Sequence, residues 1–277
     1  MGRTDLDGGR TRVETRDPSA PIVTRRHFAR VTANAIAGVA IGGGCRGLAS
    51  SYPSDGRLAA RPRASVVTSA ADERPLRLDT DRDAVLRVPR KAAREPLPLL
   101  VLLHGATGSG ERILRRLGAA PDEAGVAVLA PDSRDSTWDA IDGRFGADVH
   151  FINRSLERVF DIVAVDPARI AVGGFSDGAT YALSLGLING DLFSRVLAFS
   201  PGFVVPGAPH GHPQIFVSHG TDDSILPIDR CSRLIVPALQ KRGYDVTFRE
   251  FSGGHEVPVA IAREGLAWVA QPPKQHG

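Results

Sequence analysis

From Pro75 onward, apolar and polar positions alternate between two periods. Pro75-Leu76-Arg77-Leu78 and Ala84-Val85-Leu86-Arg87-Val88 alternate residue by residue, as half-buried strands at a sheet edge do. Leu99-Leu100-Val101-Leu102-Leu103 is apolar throughout, the pattern of a strand covered on both faces. A helical period starts near Glu111, and Val126-Ala127-Val128-Leu129-Ala130 predicts another strand. Residues 152–165 read as a helix whose exit is marked by Asp166-Pro167. Strands are then predicted at 170–172, 196–199, 215–217 and 246–251, and helices at 177–188, 228–242 and 258–270. This alternation predicts an α/β fold, a mostly parallel central sheet with helices on both faces, in one catalytic domain over 75–277. Ligands of such sheets bind at the carboxyl ends of the strands. The Pro/Gly loop between Phe199 and Gln214 leaves no room for a sizeable lid domain.

Ahead of this domain the pattern changes. Residues 1–23 are polar and without period. Thr24-Arg25-Arg26-His27-Phe28-Ala29-Arg30 is basic, residues 31–41 are mildly apolar, and small residues run to Gly44-Cys45. A basic patch, a short apolar segment and small residues are the three parts of a secretory signal. The apolar part is shorter than the roughly 20 residues needed to span a bilayer. The arginine pair, followed by Phe28 and Arg30, resembles the twin-arginine export motif. Residues 1–44 are therefore expected to carry the chain across the bacterial inner membrane. Two processing sites are open. Gly43-Gly44-Cys45 resembles the end of a lipoprotein signal, which would put a lipid and a membrane anchor on Cys45, although Gly42 stands where that motif has Leu. Cleavage after Ala49 would release a free protein. Residues 45–74, rich in Ser, Pro, Arg and Ala, predict a flexible linker.

Charge narrows the partners. Seven arginines and four acids fall in residues 1–44, so the leader holds the whole net charge of +3 and the remainder is formally neutral. No basic run with interleaved aromatics follows, so nothing supports nucleic-acid binding. The two cysteines, Cys45 and Cys231, form no CxxC or Cys/His cluster, and Cys231 is expected as a small buried hydrophobe.

The candidate chemistry lies at the strand ends. Gly174-Phe175-Ser176-Asp177-Gly178 fits G-x-S-x-G, in which the serine sits on a sharp strand-to-helix turn between small residues. The plainer alternative is a glycine turn with Ser176 capping the helix. A serine hydroxyl needs a base to act as nucleophile. Of the eight histidines, His104 and His219 each end a strand before a glycine, and His150 begins a helix. His210 and His212 lie in the Pro/Gly loop, and His27 and His276 in the termini. His255, in Ser252-Gly253-Gly254-His255-Glu256-Val257-Pro258, follows the last strand and satisfies the chain order serine, acid, histidine. The acid must come from His219-Gly220-Thr221-Asp222-Asp223-Ser224-Ile225-Leu226-Pro227, which offers Asp222 and Asp223. An oxyanion needs two backbone N–H donors. One is expected from Asp177, just after the serine, and one from the loop Leu103-His104-Gly105-Ala106-Thr107-Gly108.

Over residues 75–270 these segments resemble the phospholipase/carboxylesterase group of α/β-hydrolases, with the polyhydroxybutyrate-depolymerase-like esterases as neighbours. The resemblance implies the α/β-hydrolase fold. Its H-G-x-x-D pattern, followed by a hydrophobic-Pro pair, puts the acid at Asp223, and its oxyanion pattern assigns the second donor to Ala106, after His-Gly. It implies hydrolysis of small-molecule carboxylic esters of short or medium acyl chain through an acyl-enzyme, without metal or organic cofactor. Ser136-Thr137-Trp138-Asp139 and Asp148-Val149-His150-Phe151-Ile152 resemble segments that border the active site in this group. Trp138 is a candidate for the acyl or alcohol pocket, against plain packing, and Phe203 for a substrate contact, against loop packing. Asp148 is expected to cap the following helix. The Trp-rich and Cys-bridged features of polymer-degrading depolymerases are absent. The same serine, acid and histidine would also serve a thioesterase, a lysophospholipase or a peptidase of the prolyl-peptidase type. A non-catalytic binding protein on this fold is the reading from another class.

Overall fold

The computed structural model describes residues 55–63, 72–90 and 96–272. The expected export leader, with Cys45 and the alternative cleavage point after Ala49, lies outside them. Eight strands form one sheet among the described residues: β1 (Glu73–Pro75), β2 (Ala84–Arg87), β3 (Leu97–Leu103), β4 (Ala127–Pro131), β5 (Val165–Phe175), β6 (Arg195–Phe199), β7 (Gln214–Gly220) and β8 (Val246–Phe251). Their spatial order is β1-β2-β4-β3-β5-β6-β7-β8. The first two are antiparallel to their neighbours, and every pairing from β4 to β8 is parallel.

Seven α-helices connect the strands among the described residues: α1 (Gly110–Leu117), α2 (Ala120–Ala124), α3 (Asp139–Asp142), α4 (Ala147–Ile162), α5 (Asp177–Ile188), α6 (Ser232–Lys241) and α7 (Val259–Ala270). A central strand covered on both faces must be apolar at every position, and all seven residues of β3 are buried. Its alternate side chains feed two cores. Leu99, Val101 and Leu103 face α4, α5 and α6, while Leu100 and Leu102 face α1, α2 and α7. The expected doubly covered, mostly parallel sheet is what the chain forms. Residues 200–213 contain neither helix nor strand, so no lid domain interrupts β6 and β7.

Element boundaries differ where short-range signals mislead. The first strand ends at Pro75 rather than beginning there. The helix expected over 152–165 starts and ends earlier, at Ala147–Ile162, and Asp166-Pro167 lies inside the irregular start of β5, where the pairing with β3 shifts register. The helix expected over 228–242 is a short 3-10 turn, Ile228–Arg230, followed by α6. Helices α2 and α3, of five and four residues, are too short to show a period.

A larger correction concerns the linker expected over 45–74. Residues 55–63 lie against the domain as an ordered strap. Leu58 and Ala60 are buried in the core beside α4 and α5. The amide of Leu58 donates to Asn189 Oδ1 at 2.9 Å, and those of Ala59 and Ala60 donate to Asn153 Oδ1 at 2.8 Å each. Arg57 and Arg61 both pair with Asp191. Leu58 and Ala60, two apart, are an extended segment's inward positions, and Arg57 and Arg61, which flank them, take outward ones. No helix among the described residues is long and apolar enough to cross a membrane.

Candidate active site

Strand β5 ends at Phe175 and α5 begins at Asp177, so the chain reverses at Ser176, whose φ of 59° and ψ of −121° are strained for an L-residue. The turn needs its glycines for close approach. A Cβ on Gly174 would lie 2.4 Å from the Gly178 backbone, and one on Gly178 would lie 2.2 Å from the Leu103 carbonyl oxygen. Half-buried Ser176 is thus held over the end of β5, with its amide donating to the Phe199 carbonyl at 2.9 Å.

The loops after β7 and β8 bring the partners. Ser176 Oγ lies 2.8 Å from His255 Nε2, and His255 Nδ1 lies 2.7 Å from Asp223 Oδ2. With Nδ1–H donating to the carboxylate, Nε2 is the free acceptor for the serine proton. Asp223 Oδ1 accepts from the amides of Ile225 at 2.9 Å and Leu226 at 2.8 Å. Asp222, the other candidate acid, is exposed and takes no part in this chain of contacts. Residues 79 apart in sequence therefore meet, as the serine-acid-histidine order requires.

A second histidine completes the acid's surroundings. His219, wholly buried, places Nε2 at 2.7 Å from the Leu226 carbonyl and 3.2 Å from Asp223 Oδ2. Nε2 must carry a proton to face a carbonyl, so it is the donor to both, and Nδ1 accepts from Ser232 Oγ at 2.7 Å. Burial alone would raise the Asp223 carboxyl. Hydrogen bonds from His219, His255 and the Leu226 amide outweigh it and hold the group well below the usual carboxylate range. In sequence, His219 is one of two equivalent His-Gly strand ends. The H-G-x-x-D spacing, with the acid four residues on, was the signal available.

Between β3 and α1 the loop 104–109 is pinned from behind. Trp138 Nε1 donates to the His104 carbonyl at 2.8 Å, the Ser133 amide donates to His104 Nε2 at 3.0 Å, and the Thr107 amide donates to the Ser136 carbonyl at 2.6 Å. Burial depresses the His104 pKa, which suits its role as an acceptor. The amides of Ala106 and Asp177 make no hydrogen bond among the described residues. The Asp177 carboxylate accepts from Thr137 Oγ1 at 2.6 Å, and burial raises its pKa.

For Trp138 and Phe203, each open between a substrate contact and packing, burial favours packing. Trp138 is wholly buried, packed against His104 and Tyr181 with ring centroids at 4.9 and 5.2 Å, and supports the loop from inside. Phe203 is buried in the core on the α5 face. Asp148 lies within the first turn of α4 rather than ahead of it. Its two oxygens accept from the amides of Arg134 at 2.5 Å and Asp139 at 2.6 Å. Cys231 is buried, and burial pushes its thiol up to about 12. Among the described residues no group of three or more His, Cys, Asp or Glu side chains is placed to hold a metal ion.

Residues 136–263 match the phospholipase/carboxylesterase family. A Nocardia uniformis subsp. tsuyamanensis protein named as an esterase, NocK, is 31% identical over 152 residues, which is 51% of this chain and 44% of that one. Acyl-protein thioesterase 1 of Gibberella zeae is 30% identical over 120 residues, 39% of this chain and 51% of that one. The chain thus spans about half the length of the curated relatives it matches. S-formylglutathione hydrolase of Staphylococcus aureus has the same fold, with a TM-score of 0.58 at 16% identity over 75% of this chain and 100% of that one.

Proposed function

We propose that this chain, an α/β-hydrolase related over residues 136–263 to the phospholipases and carboxylesterases, cleaves carboxylic esters of short or medium acyl chain with Ser176 as nucleophile. The observation that carries this reading is the unbroken contact chain from Ser176 Oγ through His255 to Asp223. In the proposed reaction Ser176 Oγ attacks the ester carbonyl carbon while His255 Nε2 takes its proton. The carbonyl oxygen becomes an oxyanion facing the unspent amides of Ala106 and Asp177. Collapse releases the alcohol, which leaves with the proton from His255, and water then removes the acyl group by the same steps. The imidazolium formed on the way is stabilised by the ionised Asp223.

The uninterrupted connection between β6 and β7 favours short chains, since no lid supplies a long acyl tunnel. A thioester is the second reading, favoured by the similarity to a protein named acyl-protein thioesterase 1. The twin-arginine pattern at residues 24–30 supports export of the enzyme, which cell fractionation would test.

Labelling with a fluorophosphonate probe is expected in the natural chain and absent in Ser176→Ala. Rates over p-nitrophenyl esters are expected to peak at short chains and to depend on Ser176. Labelling that survives Ser176→Ala would remove the assignment. A maximum at long chains that needs a lipid interface would remove the chain-length reading.

A further inference from the structure

A cavity of about 150 Å³ is lined by Gly105, Ala106, Arg112, Ile113, Arg116 and Phe175 among others. Two of its lining residues adjoin the groups of the candidate site. The Phe175 ring lies 4.6 Å from the His255 ring, and a Cβ on Gly105 would stand 3.2 Å from Ser176 Cβ. Its outer wall is α1. Arg112 and Arg116 are four residues apart and so share one face of that helix, the face lining the cavity. The third arginine of the helix, Arg115, faces away and pairs with Glu111. Arg112 and Arg116 make no ion pair among the described residues; the Arg116 guanidinium lies over the Phe175 ring, 4.8 Å from its centroid. Asp132, just after β4, accepts from the Gly110 amide at the start of α1 and forms no ion pair with either arginine. Two guanidinium groups without an ion-pair partner among the described residues thus line a recess whose other polar side chains are those of His104 and Ser109.

We infer that the ester acted on at this site carries an oxyanion, a carboxylate or a phosphate, in its acyl or alcohol part, and that Arg112 and Arg116 receive it. The inference rests on the esterase reading and adds the substrate's charge to it. Planar guanidinium groups suit either anion, and Ile113 and Phe175 accommodate the carbon skeleton between anion and ester.

Matched substrates test it. On the alcohol side the set is phenyl acetate, 3-carboxyphenyl acetate, 3-phosphonophenyl acetate and 3-(trimethylammonio)phenyl acetate. On the acyl side phenyl valerate is set against phenyl hydrogen glutarate. The readout is the anionic-to-neutral ratio of kcat/KM, compared between the natural chain and the double variant Arg112→Gln/Arg116→Gln, so that leaving-group chemistry cancels. In at least one pair the ratio is expected to fall about tenfold or more in the double variant, the effect of losing a charge-assisted hydrogen bond. It should be partly kept in Arg112→Lys/Arg116→Lys and shrink with added salt. The carboxylate and phosphonate arms separate the two anions, and the cationic ester should lie on the opposite side of neutral. Equal ratios in the natural chain and the double variant would overturn the inference alone. A lack of Ser176-dependent hydrolysis across the whole set would overturn the esterase reading and this inference together.

Discussion

A buried carboxylate is stable only where donors replace the water it has lost, and Asp223 is 4% exposed. It faces the amides of Ile225 and Leu226, the ring of His255 and the ring of His219. The first two fix the carboxylate and the third links it to the serine, which leaves His219 as a positioning residue for the acid. Replacing it by Gln shortens the reach to Asp223 and breaks the bond with Ser232. Relieved of that donor, the carboxyl should titrate higher, because burial pulls it upward. The activity of His219→Gln is expected to fall about tenfold, mainly in kcat, with the acid limb of its pH profile moved to higher pH. A carboxyl held below its unfolded value stabilises the fold above that value and loses this contribution as pH falls through the folded one. The stability deficit of the variant should therefore be full at neutral pH and fade in strong acid; a deficit that does not change with pH would indicate lost packing alone. At this scale the sequence was legible where geometry forces residue types. Ser176, Asp223 and His255 sit in turns with distinctive spacing, whereas the burial of Trp138 and Phe203 is decided by what packs over them and leaves no local mark.

Helices α3 and α4 are joined by two acids that cap one another. Asp139 accepts from the Asp148 amide at 2.9 Å, Asp148 accepts from the Asp139 amide at 2.6 Å, and Tyr181 donates to Asp139 at 3.0 Å. The pairing fixes the segment that carries Thr137 and Trp138 behind the loop 104–109. Burial, with the neighbouring Asp139 charge, pushes the Asp148 carboxyl up to about 6. A group raised above its unfolded value contributes stability that is full below that value and is lost as pH rises through the folded one. Neutral, buried His104 acts in the opposite sense below its own unfolded value, so the acid's contribution must be read as a difference. Unfolding free energies of the natural chain and Asp148→Asn, measured by denaturant from pH 4 to 8, should diverge in favour of the natural chain as pH falls. The span is expected to be about 3 kcal/mol, from roughly 1.4 kcal/mol per pH unit; parallel curves would show that Asp148 does not titrate in this range. Helix α4 also shows why elements are less legible than motifs. Its first turn is built around this acid pair, and the buried Val149, Phe151 and Ile152 follow only after it. Periodicity finds the later turns and misses the start, while α5, buried from Gly178 to Ile188 between turn and loop, lies where the sequence places it.

Across the whole molecule, the strap 55–63 decides where the domain begins. Its composition resembles a linker, and only the partners supplied by Asn153, Asn189 and Asp191, about a hundred residues downstream, reveal that it packs. Burying Leu58 is worth about 2 kcal/mol, while the exposed arginine pairs add little. A chain starting at residue 64 should therefore melt about 4–8 °C below one starting at residue 51, at 2–4 °C per kcal/mol for a domain of this size. Leu58→Ser in the longer chain should reproduce most of that drop. The strap meets α5 at its carboxyl end, through Asn189 and the Ile188 carbonyl, whereas Ser176 stands at the other end of that 12-residue helix. At 1.5 Å per residue the two are separated by roughly 18 Å. Removing the strap should accordingly lower the melting temperature and leave kcat/KM toward a short ester unchanged at 25 °C. A fall in kcat/KM at a temperature where the truncated chain is fully folded would instead mean that strain at the strap reaches the nucleophile turn through α5. On the distances above, the strap is an anchor and not a gate: its contacts with α5 lie at the helix end remote from Ser176.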